Sequence, residues 1–371
     1  MSAEHPTDEE LIAQGLYDPT APDADARHEL IAYLVSIGAT LDDLIAYRDE
    51  LPSLGTVVTM RPGRPRYTPA EVSERTGISE EDGRRLWRAA GFPEVEPDGV
   101  AFSDEDVETL QLIAAARALF GEDAVLQLTR VIGSALARIA DAAVSSFLVN
   151  IEVPIVSKEP QALAIAQANF AAASLVPGLS RAMDVLLRHH ILAARRSLLA
   201  WQETGITGYE VQQLAVGFID LVGSTELALD MTAGELGNVL ADFEALVSDE
   251  VVSRRGRVVK LIGDEAMFVA PDIATACDAA LTVLSVLAER PSLPPARAGL
   301  ATGDILTRDG DYFGPVVNLA ARIVSVAGPS EAWVPAGSVG SLERSGFHVR
   351  PTGVHALKGL DEPVELAAIG R

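Results

Sequence analysis

The sequence predicts an α+β protein in which an all-helical N-terminal domain precedes a ferredoxin-like domain of βαββαβ order. Two observations support this prediction. Hydrophobic residues fill 48% of the 371 positions but aromatic residues only 5%, so small aliphatic side chains must supply most of the core, as they do in packed helices. After Tyr209 the pattern changes, because short strand-like runs begin to alternate with helical runs.

Composition and charge limit the class of function. The 29 basic and 53 acidic residues give a formal net charge of −24, which argues against a general affinity for nucleic acid. Cys277 is the single cysteine, which excludes an internal disulfide and fits a reducing cytoplasm. The N-terminus lacks the basic and apolar segments of a signal peptide, and no charge-free apolar run reaches about 18 residues. We therefore expect a cytoplasmic protein that does not associate with a membrane.

Changes in sequence texture divide the chain into four parts. Residues 1–25 are acidic and are predicted to form a disordered tail, and residues 26–204 are predicted to form the helical domain. The segment "ETGITGYE" is typical of a hinge, so a linker is placed at residues 205–212. The second domain then covers residues 213–371.

Residues 66–92 resemble a helix-turn-helix. The sequence "TPAEVSERTGISEEDGRRLWRAAGF" predicts two short helices joined by "TGIS". Five arginines and five acidic residues leave this segment with no net charge. Within an acidic chain, this balance favours a structural role over DNA binding.

Two long stretches rich in Ala and Leu, Asp104–Asn150 and Pro160–Gln202, are predicted to be helical. They are too apolar to be solvated on every side, so they should pack on each other or on a partner chain. A lipid or fatty acid bound between these helices is a further option, which the sequence alone does not favour.

The second domain alternates strands and helices in the order β-α-β-β-α-β, which is typical of a split βαβ core extended by further strands. The predicted runs are Gln213–Asp220, Thr232–Arg254, Arg257–Ile262, Ala266–Ala270, Ile273–Glu289 and Ala296–Gly303, followed by a helix at Val317–Val326.

Two acidic residues in this domain stand in unusual positions. Asp220 interrupts the apolar strand "VGFIDLVGSTELA", and a buried carboxylate needs a partner or a metal ion. Asp264 lies in a Gly-Asp turn between two strands, where a split βαβ core brings it toward Asp220. Two such carboxylates suit Mg²⁺ or Mn²⁺ bound with nucleotide phosphates, toward which Gly223, Ser224 and Thr225 would turn their N–H groups. Taken singly, each motif is more typical of an ordinary hairpin or an N-cap aspartate.

A third motif, "DYFGPVVNLAAR", places Asn318 and Arg322 four residues apart on one face of a helix. An amide beside a guanidinium suits a ribose and a charged phosphate. On its own, the pattern would fit an N-cap asparagine and a solvated arginine.

In combination, these motifs resemble the catalytic domain of the class III adenylyl and guanylyl cyclases. "FIDLVGST" resembles the first metal motif of the family, "KLIGDE" the second, and "DYFGPVVNLAAR" the motif that ends in the transition-state pair. The resemblance runs from about Val211 to Ala368. It implies conversion of ATP to 3′,5′-cyclic AMP and pyrophosphate.

The resemblance assigns roles to individual residues. Asp220 and Asp264 match the aspartates that hold two Mg²⁺ or Mn²⁺ ions. Asn318 would orient the ribose, and Arg322 would stabilise charge on the α-phosphate. Lys358, in "HALKGL", is similar to the family's triphosphate lysine through a shorter motif.

Lys260 and Asp311 match the pair that recognises adenine in the adenylyl members. A lysine donor and a carboxylate acceptor complement adenine N1 and its 6-amino group, and they mismatch guanine. The substrate implied is therefore ATP, and a guanylyl cyclase is disfavoured.

The resemblance also implies assembly and regulation. In the family, the metal aspartates and the Lys/Asp and Asn/Arg groups of one site come from different subunits of a homodimer. The N-terminal half is similar to the helical domain of soluble actinobacterial cyclases, which dimerises and in some members inhibits in a pH-dependent way. His189 and His190, in the last long helix, lie where such a pH signal would pass, although such a pair is more often two ordinary, partly buried histidines.

Two hypotheses therefore follow from the sequence. The first is a dimeric, metal-dependent adenylyl cyclase with a regulatory helical domain. The second is a DNA-binding regulator that uses a cyclase-like domain only to sense a nucleotide. The complete set of catalytic residues favours turnover, whereas the input signal, its sign and the preferred metal are left open.

Overall fold

The computed structural model describes residues 5–61, 63, 65–156, 162–202, 211–224, 229, 231–360 and 362–371. It divides into two compact units, Met1–Ala194 and Arg195–Arg371. The described residues of the first unit are mainly helical and those of the second combine a sheet with helices, which confirms the predicted α+β class. Most of the linker predicted at residues 205–212 lies outside the described residues, and its last two residues already belong to the first strand.

Eleven α-helices are present among the described residues from the N-terminus to Gln202. They are α1 (Asp8–Ala13), α2 (Ala24–Ser36), α3 (Leu41–Ala46), α4 (Leu54–Met60), α5 (Pro69–Thr76), α6 (Glu80–Ala89), α7 (Asp104–Phe120), α8 (Glu122–Phe147), α9 (Val153–Val156), α10 (Ala162–Ala173) and α11 (Val176–Gln202). A 3₁₀ turn at Leu51–Ser53 precedes α4, and a π-helical turn at Leu148–Glu152 follows α8.

The described part of the predicted disordered tail is instead ordered. Thr7 caps α1 in a capping box with Glu10, in which each side chain bonds the other residue's backbone N–H. Leu11 and Leu16 are 3% and 2% exposed and belong to the core formed by α2, α3, α4 and α10. The prediction from acidic composition did not account for these two leucines. The free energy gained by burying them outweighs the cost of ordering a charged segment.

The predicted helix pair within residues 66–92 is confirmed as α5 and α6. Thr68 caps α5, Gly77 ends it with a φ of +71°, and Ser79 caps α6. An isolated antiparallel bridge joins Tyr67 to Phe102 at the base of the pair. This small unit has its own apolar core.

The long helices of the first unit leave much apolar surface exposed. By length and composition alone, the helical stretches Glu122–Val156 and Ala162–Arg196 are apolar enough to cross a membrane, with mean hydropathies of 1.6 and 1.4. None of the first window and 17% of the second is buried. No such segment was predicted from the sequence, because the criterion there was an apolar run without charged residues. A face that packs against another protein passes the same test.

The second unit contains eight strands and four α-helices among its described residues after Val211. They are β1 (Val211–Leu221), α12 (Ala233–Ser253), β2 (Arg257–Ile262), β3 (Glu265–Ala270), α13 (Ile273–Ala288), β4 (Ala296–Arg308), β5 (Asp311–Phe313), α14 (Pro315–Val326), β6 (Ala332–Pro335), α15 (Val339–Arg344), β7 (His348–His355) and β8 (Val364–Gly370). The strand order is β2-β3-β1-β4-β6-β8-β7, with β5 paired to β4. Its first four strands form the predicted ferredoxin-like core.

The two faces of this sheet carry different layers. On one face, α12 and α13 bury Phe243 and Val283 against Ile219 and Phe268. Because side chains alternate along a strand, Val216 lies on the opposite face of the sheet. There it belongs to the apolar cluster that includes residues of α14. We call this second surface the site face, since Asp220 has the same parity as Val216 along β1.

Gly299 allows α14 to lie close to β4, and this approach yields a prediction. A Cβ at Gly299 would meet the backbone of Val324 and lie 2.6 Å from Ala320 O. We expect Gly299→Ala to lower the free energy of unfolding by about 2–4 kcal/mol, because neither backbone segment yields cheaply. Urea denaturation measures the change.

Gly237→Ala is the matched control. Gly237 lies within α12, and a Cβ there would meet nothing within 4 Å. It should stabilise the protein by about 0.5–1 kcal/mol through helix propensity. Equal effects of the two substitutions would contradict the close approach of α14.

Candidate active site

Asp220 lies near the end of β1, beside a cation. Arg297 of β4 stands directly opposite in the strand register. Its Nη2 and Nε donate to Asp220 Oδ2 at 2.7 and 2.9 Å, and its Nη1 donates to Ser325 O at 3.0 Å. Only 14% of the Asp220 side chain is exposed. The buried carboxylate noticed in the sequence therefore has a partner within the chain.

Asp264 lies beside Asp220, at the turn between β2 and β3. The backbone N–H of Leu221 donates to Asp264 O at 3.1 Å, which joins the turn to the end of β1. The hydroxyl of Ser224 donates to the Asp264 carboxylate. Gly223 precedes it with a φ of +76°, a conformation that glycine adopts without strain. Thr225 lies outside the described residues.

A third carboxylate, that of Glu265, stands opposite Asp220 on the other neighbouring strand. Burial raises the pKa of Asp220, and the charge of Asp264 adds to this effect, whereas Arg297 opposes it. Burial also raises the pKa of Glu265, with further contributions from Asp220 and Asp264. The site is therefore rich in negative charge that a single guanidinium balances only in part.

This charge and these oxygen donors fit a divalent cation. Carboxylates are preferred ligands of Mg²⁺ and Mn²⁺, which usually keep several waters or phosphate oxygens as well. Within the described part of the chain, no group of three or more His, Cys, Asp or Glu side chains is arranged as a metal site. Asp220 and Asp264 would thus supply part of a coordination shell.

Lys260 and Asp311 form a second polar centre. Lys260 Nζ donates to both oxygens of Asp311, at 2.9 and 2.7 Å, and the backbone N–H of Tyr312 donates to Asp311 at 2.9 Å. Burial would raise the pKa of Asp311, but the hydrogen bonds from Lys260 and Tyr312 lower it below its ordinary value. The two residues predicted to recognise a base are therefore joined, although 51 positions separate them.

The remaining predicted residues are not joined to either centre. Asn318 and Arg322 are exposed on α14, and no side-chain hydrogen bond from either reaches another described residue. Lys358 is exposed in the turn between β7 and β8. His189 and His190 are exposed on α11, in the first unit.

Comparison with known proteins assigns both parts of the chain to described families. Residues 6–195 match the family described as the adenylate cyclase regulatory domain. Residues 206–367 match the adenylate and guanylate cyclase catalytic domain. The chain belongs to the class III adenylate cyclases.

The cyclase is similar to individual proteins over different shares of its length. The adenylate cyclase of Streptomyces coelicolor is 35% identical over 270 residues, which are 72% of this chain and 69% of the relative. The pH-sensitive adenylate cyclase of Mycobacterium tuberculosis is 30% identical over 368 residues, covering 93% and 88%. The crystal structure of the adenylyl cyclase CyaB from P. aeruginosa is 24% identical over 44% of this chain and 96% of its own, with a TM-score of 0.39.

Arg297 and Glu265 were not predicted as site residues from the sequence of this adenylate cyclase. A signal for Arg297 was present, because it is the single charged residue in the run "ARAGLATG". Its partner could not be read from the sequence, since the pairing depends on the register between β1 and β4. Glu265 was hidden by its position next to Asp264.

The ion pair of Arg297 leads to a prediction. In Arg297→Gln, the largely buried Asp220 loses its cation, so we expect the free energy of unfolding in EDTA at pH 7 to fall by about 1–3 kcal/mol. The pKa of Asp220 should rise further, because the opposing effect of Arg297 is gone. An ionised group with a raised pKa destabilises the fold above that pKa, so the deficit should shrink as the pH falls. Urea titrations at several pH values measure it.

Arg350→Gln provides the control for this measurement. Arg350 pairs with Glu331, but its side chain is 63% exposed, so its loss should cost less than about 0.5 kcal/mol at any pH. A deficit in Arg297→Gln that is small, or that grows toward acid pH, would contradict the described role of the pair.

Proposed function

We propose that this adenylate cyclase converts ATP to 3′,5′-cyclic AMP and pyrophosphate at sites shared between two copies of the chain. The observation that carries the proposal is the adjacency of Asp220 and Asp264, in the same unit as the Lys260–Asp311 pair. The first centre has the donors for metal and phosphate, and the second has the donors for a base. In the reaction, the ribose 3′-oxygen attacks the α-phosphorus and pyrophosphate leaves.

Asp220 and Asp264 would hold two Mg²⁺ or Mn²⁺ ions. When bound, such ions supply Lewis acidity to the 3′-hydroxyl and to the triphosphate. Arg297 would then share or release Asp220, and its guanidinium could donate to a phosphate oxygen instead. Gly223, Ser224 and Thr225 would offer backbone N–H groups to the phosphates.

Lys260 and Asp311 would select the base. In the absence of nucleotide they satisfy each other, and adenine would take the place of that contact. Lys260 then donates to adenine N1, and Asp311 accepts from the 6-amino group. Guanine presents a donor and an acceptor in the reverse order, so both contacts would be lost with GTP.

Asn318 and Arg322 would complete the site from the partner subunit, and Lys358 would add a further cation. Asn318 would orient the ribose, Arg322 would stabilise charge on the α-phosphate, and Lys358 would hold the triphosphate. The exposure of all three supports this role, because a composite site requires side chains that are free to reach a neighbouring chain.

Homodimerisation would also explain the exposed apolar surface of the helical unit. Leu128, Ile132 and Leu136 of α8 recur at four-residue intervals and are all about half exposed. Such a stripe is typical of a helix–helix interface. We propose that a second copy covers it, and that neither a membrane nor a lipid does.

DNA binding receives no comparable support. The first turn of α6, the second helix of the helix-turn-helix, carries Glu80, Glu81 and Asp82. In DNA-binding helix-turn-helix proteins these N-terminal positions contact the bases, next to the phosphate backbone. Three carboxylates there would be repelled by DNA.

Complementation tests the shared site. Asp220→Asn and Arg322→Ala should each lower cyclic AMP formation from Mn²⁺-ATP by about 100- to 1,000-fold. Co-expression of the two variants should restore about one quarter of wild-type activity, because half of the dimers are mixed and each contains one intact site. The assay measures cyclic AMP per dimer.

Co-expression of Asp220→Asn with Asp264→Asn is the matched control and should restore nothing, since both changes affect the same half of a site. Recovery in this control, or its absence in the first pair, would refute the shared site. If the wild type formed no cyclic AMP, the result would instead favour the hypothesis that the cyclase-like domain only senses a nucleotide.

We further propose that the helical domain regulates the cyclase in response to pH, through His189 and His190. Histidine is the side chain that most often serves as a pH switch in proteins, and these two lie exposed on a helix with an apolar face. In His189→Gln/His190→Gln, the ratio of activity at pH 5.5 to that at pH 8 should move severalfold toward one. Cyclic AMP formation by the full chain at both pH values measures it.

His348→Gln, an exposed histidine on β7, is the control and should leave the ratio unchanged. The same pH profile in the double variant and the wild type would exclude the two histidines as the sensor.

A further inference from the structure

Arg257 and Tyr312 form a contact that the proposed chemistry does not use. Arg257, on β2, donates through Nη2 to the hydroxyl oxygen of Tyr312, on β5. Its guanidinium carbon also lies 5.1 Å from the centroid of the tyrosine ring, which suits a cation–π interaction. Tyr312 is 7% exposed and belongs to the apolar cluster on the site face. An arginine at the sheet edge is thus anchored on a buried ring.

A β-bulge places Arg257 beside the base-recognition residues. Val258 stands opposite Phe268, but Lys260 stands opposite Met267, so Val259 is an extra residue in β2. In a regular strand, residues three apart point to opposite faces. With one residue inserted, Arg257 and Lys260 point to the same face.

Two side-chain bridges therefore run in parallel from β2 to β5. Lys260 bonds Asp311, and Arg257 bonds the next residue, Tyr312. The sheet order puts β3, β1 and β4 between the two strands, so no backbone ladder joins them. β5 itself is only three residues long and pairs with β4. The direct contacts between β5 and β2 are therefore these side-chain bridges.

The two bridges differ in what happens when a base binds. On the proposed function, adenine takes over the donor of Lys260 and the acceptor of Asp311, so that bridge opens. Among the described residues, the Arg257–Tyr312 contact is then the remaining side-chain hydrogen bond between β2 and β5.

We propose that Arg257 and Tyr312 are positioning residues for base selection. They keep Lys260 and Asp311 at the distance that adenine requires while the base is bound to both side chains. This inference rests on the proposed role of Lys260 and Asp311. The pair lies beside the base and contacts no predicted ligand of the phosphates. Its loss should therefore weaken ATP binding and base discrimination more than the chemical step.

Steady-state kinetics of the full chain with ATP and with GTP test this role. Tyr312→Phe keeps the buried ring but removes the hydroxyl, and Arg257→Gln removes the cation. In each variant we expect KM for ATP to rise about fivefold to tenfold, with kcat changed less than about threefold. The ratio of kcat/KM for ATP to that for GTP should fall by a similar factor.

A double-mutant cycle and a conservative variant separate positioning from a loss of folding. The double variant Arg257→Gln/Tyr312→Phe should be no worse than the poorer single variant, because the two side chains act as one bridge. Arg257→Lys should recover part of the ATP affinity, since it keeps a donor and a charge. Arg308→Gln is the control, because Arg308 lies at the end of β4 in the hairpin that leads to β5 and its side chain is 68% exposed. It should match the wild type.

Lys260→Ala distinguishes failure of this inference from failure of the proposed function. If it loses base selectivity while Tyr312→Phe and Arg257→Gln behave as the wild type, the positioning role is overturned alone. If none of the three alters the ATP-to-GTP ratio, the base-recognition role of Lys260 falls and the positioning role falls with it. Additive losses in the double-mutant cycle would also overturn the bridge.

Discussion

The ion pair between Asp220 and Arg297 is the interaction on which the catalytic unit depends. Strand register sets Glu265, Asp220 and Arg297 in one row across β3, β1 and β4, and Asp264 adds a further carboxylate from the adjoining turn. One guanidinium thus faces three acids. Such a surplus of negative charge is costly in a largely buried position, and on the proposed function it would favour the binding of a divalent cation there.

The same register links this chemistry to the packing of the domain. Along β1, alternate side chains support α12 and α13 on one face, while Asp220 is kept on the other. A slip by one residue would bury the carboxylate beneath the helices and expose Ile219. The apolar core therefore fixes the face of the sheet on which Asp220 lies.

The sequence was informative wherever the signal was local. The strand Arg257–Ile262 was predicted with its observed bounds, and the Gly-Asp turn with its aspartate was placed between the right strands. It failed where the decision was non-local. The partner of Asp220, 77 positions away, and the helix α1, held by two buried leucines, depend on tertiary contacts that composition does not report. The bulge at Val259 leaves no compositional trace either.

On the proposed function, the closed contact between Lys260 and Asp311 would compete with the base. A nucleotide that displaced it would bind more weakly by the free energy that the two side chains gain from each other. A ligand that engages only one of them leaves the other as an unpaired charge. The enzyme would then respond to changes in the concentration of an abundant nucleotide and would not be saturated at low concentration. Ligands that engage only one of the two side chains would bind weakly.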